Sequence, residues 1–351
     1  MPNPIARAAY RLTQTARVAW YGGHHLLANR MGRGTAFADR KVEVEHDYPN
    51  RQKFLGEMQS LFERDWKNIE QGLYAAPSAL DRSAFQALQQ SIDFLRDVPR
   101  VARRRRDHVH DEVLEDELRE KFPRYYLQNF HYQSGGWLTE DSAQRYDFQV
   151  EALFAGTADA MRRQALVPIA EHMKGRDQRR MKLLDVATGT GRFLTFVKDN
   201  WPRLKTTALD LSPAYLDEAR KNLRPWHDVT FLEANAEAMP LEGASQDIVT
   251  AVYLFHELPP RVRPVVAKEI VRVLKPGGLF VLVDSIQPGD TPGFEALTQF
   301  FPQAFHEPYY ESYQTWNIRD ALEALGLVPR IETPAFLSKV ASFTKPAAAD
   351  R

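Results

Sequence analysis

A chain of 351 residues, 44% hydrophobic and 26% charged, has the make-up of a globular protein with two or three domain-sized units, or one large core with an extension. Its 46 basic and 46 acidic residues cancel, so no global field advertises a nucleic acid, and none is expected as a partner. The chain has no cysteine, which excludes a disulfide framework, a thiolate metal site and a cysteine nucleophile and fits a reducing, cytoplasmic setting; no metal is expected.

No apolar run approaches membrane-spanning length, and no apolar segment with a cleavage site marks a secretory signal. The first 38 residues contain no acid but carry Arg7, Arg11, Arg17, Arg30 and Arg33 among Tyr10, Leu12, Val18, Trp20, Tyr21, Leu26 and Leu27. Three readings are open: an amphipathic helix packed on the protein, an interfacial helix making peripheral contact with anionic lipid, or an Arg-rich targeting segment. Gly22-Gly23 is expected to break it. From Pro49 to Pro99 the pattern is helical, with Phe54, Met58, Leu61 and Phe62 on one face. Pro77-Ser78 is read as starting a further helix that buries Phe85, Leu88, Ile92, Phe94 and Leu95. The run Arg103 to Arg106 is followed by Asp107, Asp111, Glu112, Glu115, Asp116 and Glu117, which suits a solvated helix laced with ion pairs better than a phosphate site.

Pro123 to Tyr146 differs in kind, with aromatic and hydrogen-bonding residues leading into Gly135-Gly136-Trp137. It reads as a flap over a ligand, with Tyr126, His131 and Tyr132 as contacts, or as a core-packing connector. Helices then run to Lys174, where Met161, Leu166, Ile169 and Met173 pack on a sheet.

Met181 to Phe193 organises the rest. Leu183, Leu184 and Val186 form a short strand, Ala187 to Gly191 a tight small-residue turn, and Phe193, Leu194, Phe196 and Val197 one face of a helix. Strand, glycine turn and helix open a doubly wound α/β sheet and place ligand-binding backbone at a helix N-terminus. The third glycine of a dinucleotide-binding G-x-G-x-x-G is missing, which argues against a pyrophosphate. Asp185 at the strand end would meet the amino end of a ligand passing over the glycines. A second strand, Leu204 to Leu209, ends in Asp210, roughly 20 residues past the turn, where such folds place a carboxylate for both ribose hydroxyls. Ser212-Pro213 caps the following helix. Strands are expected at Val229–Leu232, Asp247–Tyr253 and Leu279–Val283, with a helix from Arg261 to Leu274 and a turn at Lys275-Pro-Gly-Gly. Asp284 to Gln314 reads as a long irregular loop, of which 285–314 forms a substrate cap carrying His306, Tyr309 and Tyr310. Tyr313 to Leu325 reads as one helix stopped by Gly326, and Val328–Glu332 with Ala335–Phe343 as a closing antiparallel hairpin.

The turn, Asp-Val-Ala-Thr-Gly-Thr-Gly, resembles the first motif of class I S-adenosylmethionine-dependent methyltransferases, with Ala187 where that motif has its first glycine. The later motifs, including Arg272-Val-Leu-Lys-Pro-Gly-Gly, resemble the subgroup around the ubiquinone and menaquinone C-methyltransferases over roughly residues 155 to 345. The resemblance implies S-adenosylmethionine as cofactor, held by Asp185, Ala187, Thr188, Gly189, Gly191, Asp210, Leu211, Asn235 and Ala236. Asn235 stands where the family has an Asp that accepts from the adenine amino group, and its amide oxygen can do the same. It also implies methyl transfer to an oxygen or carbon of a small lipophilic or aromatic acceptor, with His256 as candidate general base. A nicotinamide oxidoreductase and a non-catalytic binding protein are the alternatives. The expected organisation is a helical region, 1–150, with the flap at 123–146; a Rossmann-like core, 151–345; and a disordered tail, 346–351.

Overall fold

The computed structural model describes residues 4–31, 44–77 and 84–347, and of Ala84 and Phe85 the backbone alone. Arg33, Ser78, the side chain of Phe85 and residues 348–351, named above, lie outside the described residues. In chain order the elements are α1 (Pro4–Met31), α2 (Arg51–Glu70), α3 (Ala84–Asp107), α4 (Asp116–Arg119), α5 (Glu140–Leu153), α6 (Ala158–Arg163) and α7 (Leu166–Met173). There follow β1 (Lys182–Val186), α8 (Arg192–Asn200), β2 (Lys205–Asp210), α9 (Pro213–Leu223), β3 (Val229–Glu233), β4 (Gln246–Val252), α10 (Arg263–Val273) and β5 (Leu274–Ser285). Last come α11 (Glu295–Ala304), α12 (Tyr310–Gln314), α13 (Ile318–Ala324), β6 (Val328–Ala335) and β7 (Ser338–Thr344).

These divide into two compact units: a helical unit of Met1–Trp66, Ala76–Ala160 and Gly293–Pro308, and a sheet unit of Lys67–Ala75, Met161–Pro292 and Tyr309–Arg351. The sheet unit holds one seven-stranded sheet in the order β3-β2-β1-β4-β5-β7-β6. β1 to β5 run parallel, and β7 enters antiparallel between β5 and β6. This is the doubly wound sheet with a terminal hairpin that the sequence predicts. The strands are central and apolar because helices cover both faces: Leu183, Leu184, Val186, Val249, Ala251, Phe280 and Val283 are buried. The order reverses at β1, which pairs with β2 on one side and β4 on the other, so ligands of such sheets collect outside the carboxyl ends of β1, β2 and β4.

In the helical unit α1 packs on α3 and α5. Tyr21 meets Phe148 edge-on at 5.2 Å, and Arg17 bridges Glu151 and Asp159 at 2.9 Å each. Several expectations are corrected here. Gly22-Gly23 does not break α1, which runs through it; the flanking contacts outweigh the roughly 1 kcal/mol each glycine costs a helix. Leu88 and Ile92 are 53% and 40% exposed rather than buried. Residues 285–314 are not irregular, since they contain α11 and α12. The helix expected at 313–325 is two, because Asn317 caps α13 by accepting from the Asp320 N–H at 3.2 Å. The turn at 275–278 lies within β5, tied to the chain end by Gly277 N–H donating to Lys345 at 2.8 Å.

Candidate functional site

At the carboxyl ends of β1 and β2 the chain turns through three left-handed residues, Ala187 (φ 58°), Gly189 (φ 57°) and Gly191 (φ 73°). Ala187 therefore sits where φ is positive, a strained conformation for a residue with a Cβ. The two glycines have different work. A Cβ at Gly191 would fall 2.9 Å from Leu223 Cδ1, so this glycine lets α8 and α9 approach. A Cβ at Gly189 would meet nothing nearer than Tyr215 at 3.9 Å, which leaves its surface open. Asn222, not anticipated from the sequence, donates to the Thr190 carbonyl at 2.9 Å and pins the turn to α9.

Two buried acids frame this turn. Asp185 is paired in register with Thr250 on β4, whose hydroxyl donates to Oδ1 at 2.6 Å, while the Thr188 hydroxyl donates to Oδ2 at 2.8 Å. Burial pushes its pKa up to about 7 against the pull of those hydroxyls. Asp210 accepts from Gly189 N–H at 2.7 Å through Oδ2 and from Ser212 N–H at 2.9 Å through Oδ1. Burial raises its pKa also, opposed by the backbone bonds from Ser212, Gly189 and Leu211. One carboxylate thus holds both the glycine turn and the start of α9, where Ser212 accepts from Tyr215 N–H as the cap. Ala234 N–H donates to the Asp210 carbonyl at 3.0 Å, which brings the 234–236 loop alongside β2. There the Asn235 amide oxygen already accepts from Glu237 N–H at 2.9 Å, so one of its two lone pairs is spent locally.

After β4 the backbone passes through Tyr253 (φ 58°) into a 3₁₀ turn, Phe255–Glu257. The buried His256 lies between two acids: Nδ1 is 2.5 Å from Asp284 Oδ1 and Nε2 is 3.5 Å from Glu257 Oε1. Burial alone would lower its pKa, but the two carboxylates outweigh burial and raise it well above the ordinary imidazole value. Asp284 also accepts from the N–H groups of Phe255 and Ser285, both at 2.8 Å. Tyr310 and Tyr313 present ring edges to His256, with centroids 5.9 and 6.1 Å away. Burial raises the Tyr313 pKa well above its usual value. Arg263, buried under Trp316 and Tyr313, donates to the carbonyls of Phe255 (3.0 Å) and Tyr309 (2.6 Å) and so ties the 3₁₀ turn to the start of α12. Both carboxylates favour the protonated ring, a form in which neither nitrogen has a lone pair to accept a further proton. Asp284 went unread; the signal for it was an acid closing an apolar strand run, as at Asp185 and Asp210.

The remaining expected residues gather in the helical unit. His131 N–H donates to the His306 carbonyl at 3.2 Å, and His131 Nε2 is 2.9 Å from the buried Glu307. His306 accepts a stacked His110 ring at 4.1 Å and bonds Gln128 at 2.7 Å. Tyr126 packs on Trp137, itself stacked on Phe130 at 3.9 Å. His131 and Tyr132 are both left-handed, at φ 53° and 57°. Gly135-Gly136 is a packed turn, since a Cβ at Gly136 would fall 2.9 Å from the Gln128 carbonyl. Arg104 and Arg106 pair with Glu112 and Asp107 as the charge pattern suggests, but Arg105 lies under Phe305, and burial lowers its pKa to about 10.

Residues 183–278 match the family model described as a methyltransferase domain. The demethylmenaquinone methyltransferase of Chlorobaculum tepidum is 35% identical over 152 residues, 42% of this chain and 58% of that protein. The malonyl-[acyl-carrier protein] O-methyltransferase of Xylella fastidiosa is 31% identical over 131 residues, 37% of this chain and 42% of its own length. A solved SAM dependent methyltransferase from Aquifex aeolicus aligns over 52% of this chain and 89% of its own, at 19% identity and a TM-score of 0.39, a likeness too loose to carry function. The chain spans less than two thirds of the length of these curated relatives.

Proposed function

We propose, from the premise that this chain carries a class I methyltransferase domain, that the protein moves a methyl group from S-adenosyl-L-methionine to an oxygen or carbon of a small lipophilic or aromatic acceptor. One observation carries this reading: a left-handed turn and a buried carboxylate are locked together at the carboxyl ends of β1 and β2. The residues fit such a nucleoside. Gly189 leaves an open surface for the methionine portion, Asp185 supplies an acid for its amino group, and Asp210, with three backbone N–H groups on its two oxygens, keeps a lone pair for a ribose hydroxyl. Leu211, Asn235 and Ala236 are the residues proposed for the adenine end, beside Ala187, Thr188 and Gly191 in the turn.

Bound there, the cofactor supplies an electrophilic methyl carbon on a cationic sulfur. The chain contributes position, which accounts for most of the rate of an in-line transfer. His256, protonated between Asp284 and Glu257, is proposed to stabilise an oxyanion on the acceptor by its charge, with the general-base role as the alternative. Tyr309 and Tyr310, tied down by Arg263 and Ser285, are the proposed walls for the acceptor. The demethylmenaquinone relatives favour a quinol-like ring; the malonyl relative favours an oxygen acceptor. The test is transfer of labelled methyl from S-adenosylmethionine to a panel of quinols, phenols and carboxylates, followed against pH. Turnover is expected on at least one ring acceptor, and His256→Ala is expected to abolish a decline in rate at alkaline pH. A wild-type rate that instead rises through neutral pH, with His256→Gln removing that rise, would restore the general-base role.

A further inference from the structure

Helix α1 has one packed face and one bare face. Tyr10, Gln14 and Tyr21 are its buried positions, and the Tyr10 hydroxyl donates to the buried Asp65 at 2.5 Å. On the opposite side, at steps of three, four and seven residues, stand Ile5, Leu12, Ala16, Ala19, Gly23 and Leu26, all exposed. Ile5, Leu12 and Leu26 are bare to 80%, 72% and 70%. A single exposed leucine is ordinary. An apolar stripe running the length of a 28-residue helix is not. Trp20 and Leu27, each about two-fifths exposed, widen the stripe toward its C-terminal half.

The charge on the helix has one sign. Pro4–Met31 contains no acid, while Arg7, Arg11 and Arg30 are exposed. Arg11 meets an acid only at 3.8 Å, from Glu63, with both side chains more than half exposed, a pair of little consequence. Arg17 belongs to the packed side through Glu151 and Asp159. This charge decides what covers the stripe. Two copies of α1 laid together would pair two helices of the same positive sign with no acid on either to answer it. An anionic lipid surface accepts both the apolar stripe and the arginines, whose long stems reach the phosphates while the leucines enter the acyl boundary.

We infer that the outward face of α1 docks in the plane of a membrane surface rich in anionic lipid. The helix lies on such a surface and does not span it, since no described helix is long and apolar enough to cross a membrane. The inference rests on α1 alone and stands apart from the methyl-transfer reading.

Flotation of the full chain with phosphatidylcholine vesicles, with and without phosphatidylglycerol, tests it. The wild-type chain floats with the anionic vesicles, and added salt weakens this. Leu12→Glu/Leu26→Glu stays at the bottom of the gradient while keeping the wild-type circular dichroism. Replacing Arg7, Arg11 and Arg30 by glutamine weakens partitioning by roughly fivefold per arginine. A wild-type chain that stays at the bottom with phosphatidylglycerol at low salt overturns the inference, as does a Leu12→Glu/Leu26→Glu chain that floats like wild type. A concentration-dependent dimer in light scattering that Leu12→Glu/Leu26→Glu abolishes, without flotation, assigns the stripe to a second copy and also overturns it.

Discussion

The sheet unit places its polar chemistry at strand ends, whereas the helical unit distributes it through packing. Asp210 closes β2, and Asp185 and Asp284 each lie one residue from the end of β1 and β5. Each is an acid at or next to the carboxyl end of its strand, held in place by backbone N–H groups or threonine hydroxyls. In the helical unit the buried polar groups, such as Asp65, Asp97, Asn129 and Glu151, lie within helices or connectors and take partners far away in sequence. A parallel sheet must send every strand's carboxyl end to one edge, so the architecture itself lines up those ends. Helices joined in a bundle have no such shared edge, and their buried polar groups are placed one contact at a time.

The largest expected effect comes from the helical core. Phe148→Ala removes a ring that packs against Tyr21, His24 and Phe94, and should cost about 3–5 kcal/mol in chemical denaturation. A cost under about 1 kcal/mol would mean that packing in this unit is looser than its contacts imply. In the sheet unit the two turn positions should separate. Gly191→Ala meets both a positive φ and Leu223, and should destabilise by roughly 1–3 kcal/mol. Ala187→Gly, which relieves a positive φ but frees the unfolded chain, should change stability by about 0.5 kcal/mol or less.

The pH dependence of cofactor binding sharpens the contrast further. Asp185 titrates near pH 7 in the unliganded protein because it is buried. An acid raised in this way contributes stability that is present near pH 4 and lost as pH rises through about 7, on the order of a few kcal/mol. A cationic amino group bound beside it favours the ionised form. Affinity for S-adenosylmethionine should therefore rise with pH, by up to about tenfold per unit below pH 7, and level off above it. Calorimetry across that range should show the rise in wild type and its absence in Asp185→Asn; an unchanged slope in the variant would remove Asp185 from the amino-group contact.

The same contrast governs what could be read from the amino acids alone. Strand, turn and cap at 181–213 follow from apolar runs, small residues and Ser212-Pro213, all local signals, and the structure reproduces them. The closing hairpin follows from that pattern too, whereas the strand order comes from the pairing itself. Leu88 and Ile92 were misread because helical periodicity shows that a face is apolar but not whether anything covers it. Gly22-Gly23 misled because the packing that holds α1 straight lies in Phe148 and Ala155, more than a hundred residues away. The contact between His256 and Asp284 was not legible, since the two meet only once β4 and β5 are paired.

The most direct measurement is calorimetric titration of S-adenosylmethionine into the purified wild-type chain and into Asp210→Ala, with NADH as the comparison ligand. Saturable binding to wild type, weakened about a hundredfold in the variant and absent for NADH, is the expected result, because a hydroxyl contact and the Gly189 anchor are lost together. No heat from S-adenosylmethionine at millimolar concentration, or equal affinity in wild type and Asp210→Ala, would contradict the assignment of the 187–191 turn and Asp210 as the cofactor cradle.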